Sequence, residues 1–204
     1  MPLGKTFRNY SEEAIEYETA SVCIPPCYIK RVHDTYGEKI NICTVVGFPL
    51  GYSVTEAKAA ETKKALEDGA SEVDMVVNIS DVKNGNYDAV QAEIAALKKI
   101  TGDKILKVII ETCYLTEEEK IAMCKAVTAA GADYIKTSTG FGTAGATLED
   151  IRLFRENIGP DVKMKAAGGV KTVADMEAFL EAGCDRIGTS SAIQLIQGEQ
   201  TSGY

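Results

Sequence analysis

The chain has 204 residues, 45% of them hydrophobic, which is enough to build one sizeable core and leads us to expect a single domain over 1–204. Thirty acidic against 22 basic residues give a formal charge of -8, and no Lys/Arg run could neutralise a line of phosphates, which argues against a nucleic-acid partner. No stretch approaches the ~20 apolar residues that span a bilayer and no secretory signal opens the chain, so a cytoplasmic location is expected, away from membranes.

In chain order, Ser11–Glu18 reads as a helix with Ser11 as its N-cap; before it, Leu3–Phe7 is either a poor strand or no strand. Short β-branched runs then alternate with helical runs. Strands are expected at Ser21–Ile24, Ile42–Val46, Glu72–Val77, Ile105–Ile110, Tyr134–Thr137, Val162–Ala166 and Arg186–Gly188. Helices are expected at Thr55–Asp68, Tyr87–Ile100, Thr116–Ala130, Thr147–Glu156 and Thr172–Glu181, with a last one opening after Ser191. Thr116 and Glu119 have capping-box spacing, and Thr147 with Asp150 repeats it. Gly69, Gly131 and Gly183 each end a helix just before a strand. This rhythm fits a (β/α)8 TIM barrel better than an open nucleotide-binding sheet, because the loop after the first clear strand reads Ile24-Pro25-Pro26-Cys27 and holds no Gly-x-Gly-x-x-Gly. Only seven strands are evident where a closed barrel has eight, and the first is the one missing or altered.

Period-two alternation sorts the strand side chains. If Val73 and Met75 face the surrounding helices, Asp74 faces the barrel interior; Lys163 and Lys165 share one face, and Lys107 shares a face with Glu111. Lys136 ends a strand and runs into Thr137-Ser138-Thr139-Gly140 with no acid beside it in sequence. Burial and the neighbouring Lys165 would lower its pKa and present a neutral, nucleophilic amine, as imine-forming enzymes require. The competing reading is an ion-pair cluster of Asp74 with Lys107, Lys136, Lys163 and Lys165 that merely fills the barrel.

Two glycine-rich strand ends, Gly168-Gly169 and Gly188-Thr189-Ser190-Ser191, fall after the last two strands, where barrels of this class commonly bind phosphate; Ser138, Thr139 and Gly140 could close the cradle. The six cysteines form no Cys-x-x-Cys pair and read as reduced, mostly buried thiols. Cys23, Cys27 and the single His33 lack the second half of a metal-ligand set, so no metal is expected.

Taken together, Glu72-Val73-Asp74-Met75-Val76, Leu106-Lys107-Val108-Ile109-Ile110-Glu111-Thr112, Lys136-Thr137-Ser138-Thr139-Gly140, Lys165-Ala166-Ala167-Gly168-Gly169-Val170 and Arg186-Ile187-Gly188-Thr189-Ser190-Ser191 resemble the deoxyribose-phosphate aldolase family, from about Ala20 to about Ile196. The resemblance implies a metal-independent and cofactor-free Schiff-base aldolase on a TIM barrel, a small phosphorylated sugar as substrate and a homo-oligomer, with a dimer in view. It implies Lys136 as the imine-forming lysine and Asp74 with Lys165 as the proton-transfer pair. The chain departs from the family at its start, where the Asp-x-Thr-x-Leu type first strand is not found, and at Phe141, where some members carry a lysine. Tyr204 ends the chain, as a tyrosine reaching back to the site does in some relatives. A catalytically impaired phosphate-ligand binder of the same fold, and a sugar-phosphate isomerase or lyase on the same scaffold, are the alternatives.

Overall fold

The computed structural model describes residues 3–198, and the side chains from residue 8 onward. Nine α-helices and seven strands alternate among the described residues: α1 Leu3–Glu16, β1 Val22–Cys23, α2 Ile29–Tyr36, β2 Ile42–Val46, α3 Thr55–Glu67, β3 Glu72–Val76, α4 Ile79–Lys83, α5 Tyr87–Thr101, β4 Ile105–Ile109, α6 Glu117–Ala129, β5 Tyr134–Lys136, α7 Leu148–Asn157, β6 Lys163–Ala167, α8 Val173–Glu181, β7 Arg186–Gly188 and α9 Ala192–Ile196. The strands form one parallel sheet in the order of the chain, β1 to β7. Each βα step adds the next strand to the same edge, so the sheet grows in one direction and rolls up.

How far it rolls follows from one ion pair. In a flat sheet β3 and β7 would lie four strand spacings, about 19 Å, apart. Yet Arg186 on β7 reaches Glu72 on β3 at 2.7 Å. The strands therefore curl around a common interior, as in a TIM barrel. Among the described residues β1 pairs only with β2 and β7 only with β6, so the curled sheet is open between them.

The main apolar core lies outside the curl. Val73, Met75, Leu106, Val108, Ile135, Met164 and Ala166 point outward from the strands and pack against Val90, Ile94, Leu97, Met123, Val127, Phe154 and Phe179 of the helices. A second cluster, with Val22, Ile24, Ile29, Val32, Ile42 and Ala65, seats β1 and β2 against α2 and α3. With the apolar side chains consumed on that side, alternation sends the charged ones inward.

The seven expected strands are all present, and of the helix caps expected at Ser11, Thr116 and Thr147 one forms fully, one in part and one not at all. The Thr116 hydroxyl accepts from Glu119 N while Glu119 returns to Thr116 N, a complete capping box. At Thr147 only half the device forms, because the Asp150 carboxylate turns to Lys120 at 2.6 Å. Thr172 and Asp175 close a complete box that the sequence reading overlooked. Of the two N-terminal alternatives, no strand at Leu3–Phe7 holds, because these residues form the first turns of α1; the helix start is corrected, since Ser11 lies buried in mid-helix instead of capping it. Tyr204 falls outside the described residues. Among those residues no helix is long and apolar enough to cross a membrane.

Candidate active site

The interior holds a chain of charges centred on Asp74, in the middle of β3 and fully buried. Lys136 Nζ, from the last residue of β5, donates to Asp74 Oδ2 at 2.8 Å, and Lys165 Nζ, from β6, donates to the same oxygen at 3.2 Å. Lys107 Nζ, from β4, donates to Oδ1 at 2.7 Å and lies 2.7 Å from Glu72. Lys136 and Lys165 are register partners on adjacent strands. Just above them the Thr137 hydroxyl donates to Ala167 O and accepts from Ala167 N, fixing β5 against β6 where both lysines enter the site.

Four cationic side chains, Lys107, Lys136, Lys165 and Arg186, thus meet two carboxylates, Glu72 and Asp74. The surplus of positive charge in a low-dielectric interior is suited to an anionic ligand. It also holds the Asp74 carboxyl well below the ordinary range: burial alone would raise it, but Lys136, Lys165 and Lys107 outweigh that.

For Lys136 the expected direction is reversed in the resting site. Burial is the largest influence and lowers the amine's pKa, yet the facing Asp74 carboxylate, helped by Cys23 and Cys43, carries the net shift upward. The ammonium is thus latched to Asp74. Without the Asp74 contact, burial would lower the amine's pKa instead.

One member of the expected cluster, Lys163, is absent from it, and Glu111 does not share the inward face of Lys107. Lys163 is exposed, with Nζ over the Tyr134 ring at 5.9 Å, because it stands at the N-terminal start of β6 where the barrel opens to solvent. Glu111 lies beyond β4 in a left-handed conformation, φ 52°, which breaks the alternation it shared with Lys107. Its carboxylate instead receives the Thr139 hydroxyl and, at 3.3 Å, the Thr139 N–H, so it anchors the loop after Lys136.

The candidate phosphate residues leave the same end of the strands. The register sets Gly188 beside Ala167, so the loops carrying Gly168-Gly169 and Ser190-Ser191 emerge side by side. A Cβ built on Gly168 would stand 3.1 Å from Gly145 Cα, 3.6 Å from Ser138 Cβ and 3.9 Å from Gly140 Cα, which brings the loop of Thr139 and Gly140 to the same place. Gly168 and Gly169 have φ of 76° and 73°, open to glycine and strained for other residues. Their N–H groups meet no acceptor among the described residues. The buried Ser138 hydroxyl likewise has no partner. Ser191 is buried and Ser190 exposed. The helix that follows them, α9, has only five residues, so the backbone loops rather than a helix terminus form this cradle. Phe141 is exposed at its rim, edge-on to Phe48 at 5.4 Å.

Sequence reasoning missed three features of this interior. Glu72 with Arg186 joins strands four positions apart, which only the curl brings together. Lys58 is fully buried between Glu93, 2.7 Å away, and Val76 O, 3.0 Å away, locking α3 to α5 and β3. The thiols are not uniformly buried either: Cys43, Cys124 and Cys184 are, but Cys23 and Cys27 are exposed and Cys113 is half-buried. The sulfurs of Cys23 and Cys43 and an Asp74 oxygen all lie within 4.8 Å of one another, a spacing that could hold a metal. Three ammonium groups already on Asp74 oppose a cation there.

The model of the DeoC/LacD family aldolases matches residues 4–192. The chain is 74% identical over 197 residues to the deoxyribose-phosphate aldolase of Clostridium botulinum (strain Alaska E43 / Type E3), covering 97% of this chain and 89% of that protein. Among solved structures it is similar to QR15, an aldolase, with a TM-score of 0.90 and 39% identity over 95% of this chain and 87% of that one. It is also similar to the tetrameric deoxyribose phosphate aldolase of Aeropyrum pernix, with a TM-score of 0.86 and 30% identity over 94% and 82% of the two chains.

Proposed function

Because the chain belongs to the DeoC/LacD family of aldolases, we propose that it cleaves 2-deoxy-D-ribose 5-phosphate reversibly into D-glyceraldehyde 3-phosphate and acetaldehyde. The observation that carries this reading is the buried contact of Lys136 Nζ with Asp74, 2.8 Å long, with Lys165 on the same carboxylate oxygen. An isomerase has no need of two inward amines on adjacent strands. An imine-forming lyase needs one amine as nucleophile and a charged neighbour to move protons.

In this account the Lys136 ammonium passes a proton to Asp74, the neutral amine attacks C1 of the open-chain sugar, and Asp74 returns that proton to the carbinolamine hydroxyl, which leaves as water to give a protonated imine. Asp74, through water, takes the C3 hydroxyl proton. The C2–C3 bond then breaks, since the fragment that stays on Lys136 has two carbons, and its electron pair moves into the imine. Glyceraldehyde 3-phosphate leaves, the enamine is protonated at C2 with Lys165 within reach of the same proton path, and hydrolysis frees acetaldehyde. Lys165 also keeps Asp74 ionised while Lys136 is away from it. Gly168, Gly169, Gly188, Ser190, Ser191, Thr139 and Gly140 form the phosphate cradle, with backbone N–H groups as donors.

The reading extends to a single domain over the whole chain, a cytoplasmic location and self-association as a homo-oligomer. The openness of the sheet between β1 and β7 among the described residues favours one competing reading, a phosphate-ligand binder without turnover. Acetaldehyde release from deoxyribose 5-phosphate, followed with a coupled alcohol dehydrogenase, separates the two. Turnover abolished by Lys136→Ala supports the aldolase. Binding of the sugar phosphate without acetaldehyde release would replace it with the binder.

A further inference from the structure

The two thiols nearest the site have no part in the mechanism above. Cys23 ends β1 and Cys43 stands on β2, and the two are register partners. Parallel neighbours in register are separated by roughly 4.8 Å at Cα, within the roughly 4.4–6.8 Å that a disulfide spans. Both side chains point to the interior face, with their sulfurs no more than 4.8 Å apart. Both are free thiols. One is accessible and the other is not: Cys23 is exposed along the open edge of the sheet, while Cys43 is fully buried. We propose that Cys23 and Cys43 are a redox-sensitive pair, which a hydroperoxide converts to an intrachain disulfide that slows the Asp74–Lys136 site.

The environment suits each partner to one half of the reaction. The Cys23 thiol is lowered to about 7, first by hydrogen bonding with Cys43 and further by the Lys136 and Lys165 charges, so a thiolate is present near neutrality on the exposed side. Cys43 stays protonated, raised by its bond with Cys23 and by burial. In the first step the Cys23 thiolate attacks the peroxide oxygen; a sulfur–oxygen bond forms, the oxygen–oxygen bond breaks, and the leaving hydroxide or alkoxide takes up a proton. In the second, the Cys43 sulfur attacks Cys23; the disulfide forms, the sulfur–oxygen bond breaks, and the Cys43 proton leaves with the hydroxide as water. Two electrons pass from the thiol pair to the peroxide.

The link to the site is the Cys43 sulfur itself. While Cys23 is a thiol, the Cys43 sulfur donates to Asp74 Oδ1 at 3.1 Å, and it accepts from Lys107 Nζ at 3.3 Å. Oxidation removes that S–H donor and draws the sulfur toward β1, so Asp74 loses a partner on the oxygen that faces away from Lys136. Losing one hydrogen bond to a charged group is worth about a tenfold fall in kcat. The disulfide stands on the thiol geometry alone, whereas its effect on turnover rests on the aldolase reading.

The test treats the full chain with hydrogen peroxide, quenches with catalase, alkylates the remaining thiols after denaturation and maps the peptides. The expected result is a peptide pair joining Cys23 to Cys43, with activity falling about tenfold and returning on addition of dithiothreitol. In Cys43→Ala the same treatment should give a Cys23 sulfenic acid trapped by dimedone and no cross-link. Both thiols still alkylatable after peroxide, or a link from Cys23 to Cys27 instead, would overturn the pair. A quantitative Cys23–Cys43 link with unchanged turnover would overturn its control of the site, and an unoxidised protein with no turnover would fault the aldolase reading while the cross-link still judged the pair.

Discussion

Replacing Asp74 by Asn keeps the shape of the side chain and removes the charge that three ammonium groups share. Lys107 retains Glu72 at 2.7 Å, but Lys136 and Lys165 have no other carboxylate within salt-bridge distance among the described residues. Removing one partner of a buried ion pair costs about 3–5 kcal/mol. For a chain of this size that corresponds to a fall in Tm of roughly 6–20 °C. The pH dependence gives the sharper signature. In the wild type the folded pKa of Lys136 is raised, so its contribution is present below the unfolded lysine value and is lost as pH rises through the folded one. Asp74, whose folded pKa is depressed, contributes above the unfolded carboxyl range and loses that contribution only as pH falls through its folded value. In Asp74→Asn, burial is left as the dominant influence on Lys136 and lowers its folded pKa. The unfolded chain then binds more protons, and stability rises with pH toward the lysine range. Urea melts between about pH 7 and 9.5 should therefore show stability rising with pH in the variant and no slope from Lys136 in the wild type, and turnover of the variant should fall by about 10²–10⁴, the usual contribution of a general acid–base group. Parallel pH slopes, or turnover within a few-fold of wild type, would refute the assignment of Asp74 as both the latch of Lys136 and the proton carrier.

Three further outcomes follow from single contacts. A Cβ at Gly188 would stand 3.1 Å from both Ala167 Cβ and Lys165 Cε, so Gly188→Ala should push the Lys165 amine off Asp74 and lower kcat more than it changes KM, read from initial rates. Lys58→Met leaves the buried Glu93 and the Val76 carbonyl without their donor and should cost about 3–5 kcal/mol in chemical denaturation; adding Glu93→Leu should restore part of the loss, as a double-mutant cycle would show. Thr172→Ala removes a complete capping box in front of α8 and should destabilise by about 0.5–2 kcal/mol, with little change in kcat.

The order of strands was legible because they are β-branched runs, several preceded by a helix-ending glycine; alternation turned Asp74 inward once Val73 and Met75 faced the helices, and it put Lys165 on one face of its strand and Lys107 on one face of its own. Alternation holds only while the strand lasts. It failed at Glu111, which is itself in the left-handed conformation just past β4, and at Lys163, whose side chain has the inward parity but stands where the barrel floor meets solvent. Pairings across the interior, such as Arg186 with Glu72, depend on how tightly the sheet curls and leave no local signal. The direction of the Lys136 shift was misread for the same reason: its sequence neighbours include no acid, but the acid that sets it stands two strands away, 62 positions earlier in the chain. Helix α2 was missed because Pro25 and Pro26 read as a loop, although Ile29 and Val32 then provide the apolar face that buries it.

The central claim, that Lys136 is the residue that bonds to substrate, is tested most directly by trapping. The protein is incubated with acetaldehyde, reduced with borohydride, digested and mapped by mass spectrometry. The account predicts an ethyl adduct on Lys136, absent in Lys136→Ala and formed also when deoxyribose 5-phosphate replaces acetaldehyde, since its cleavage leaves the same two-carbon imine. An adduct confined to Lys165 or to surface lysines, with Lys136 unmodified, would contradict it.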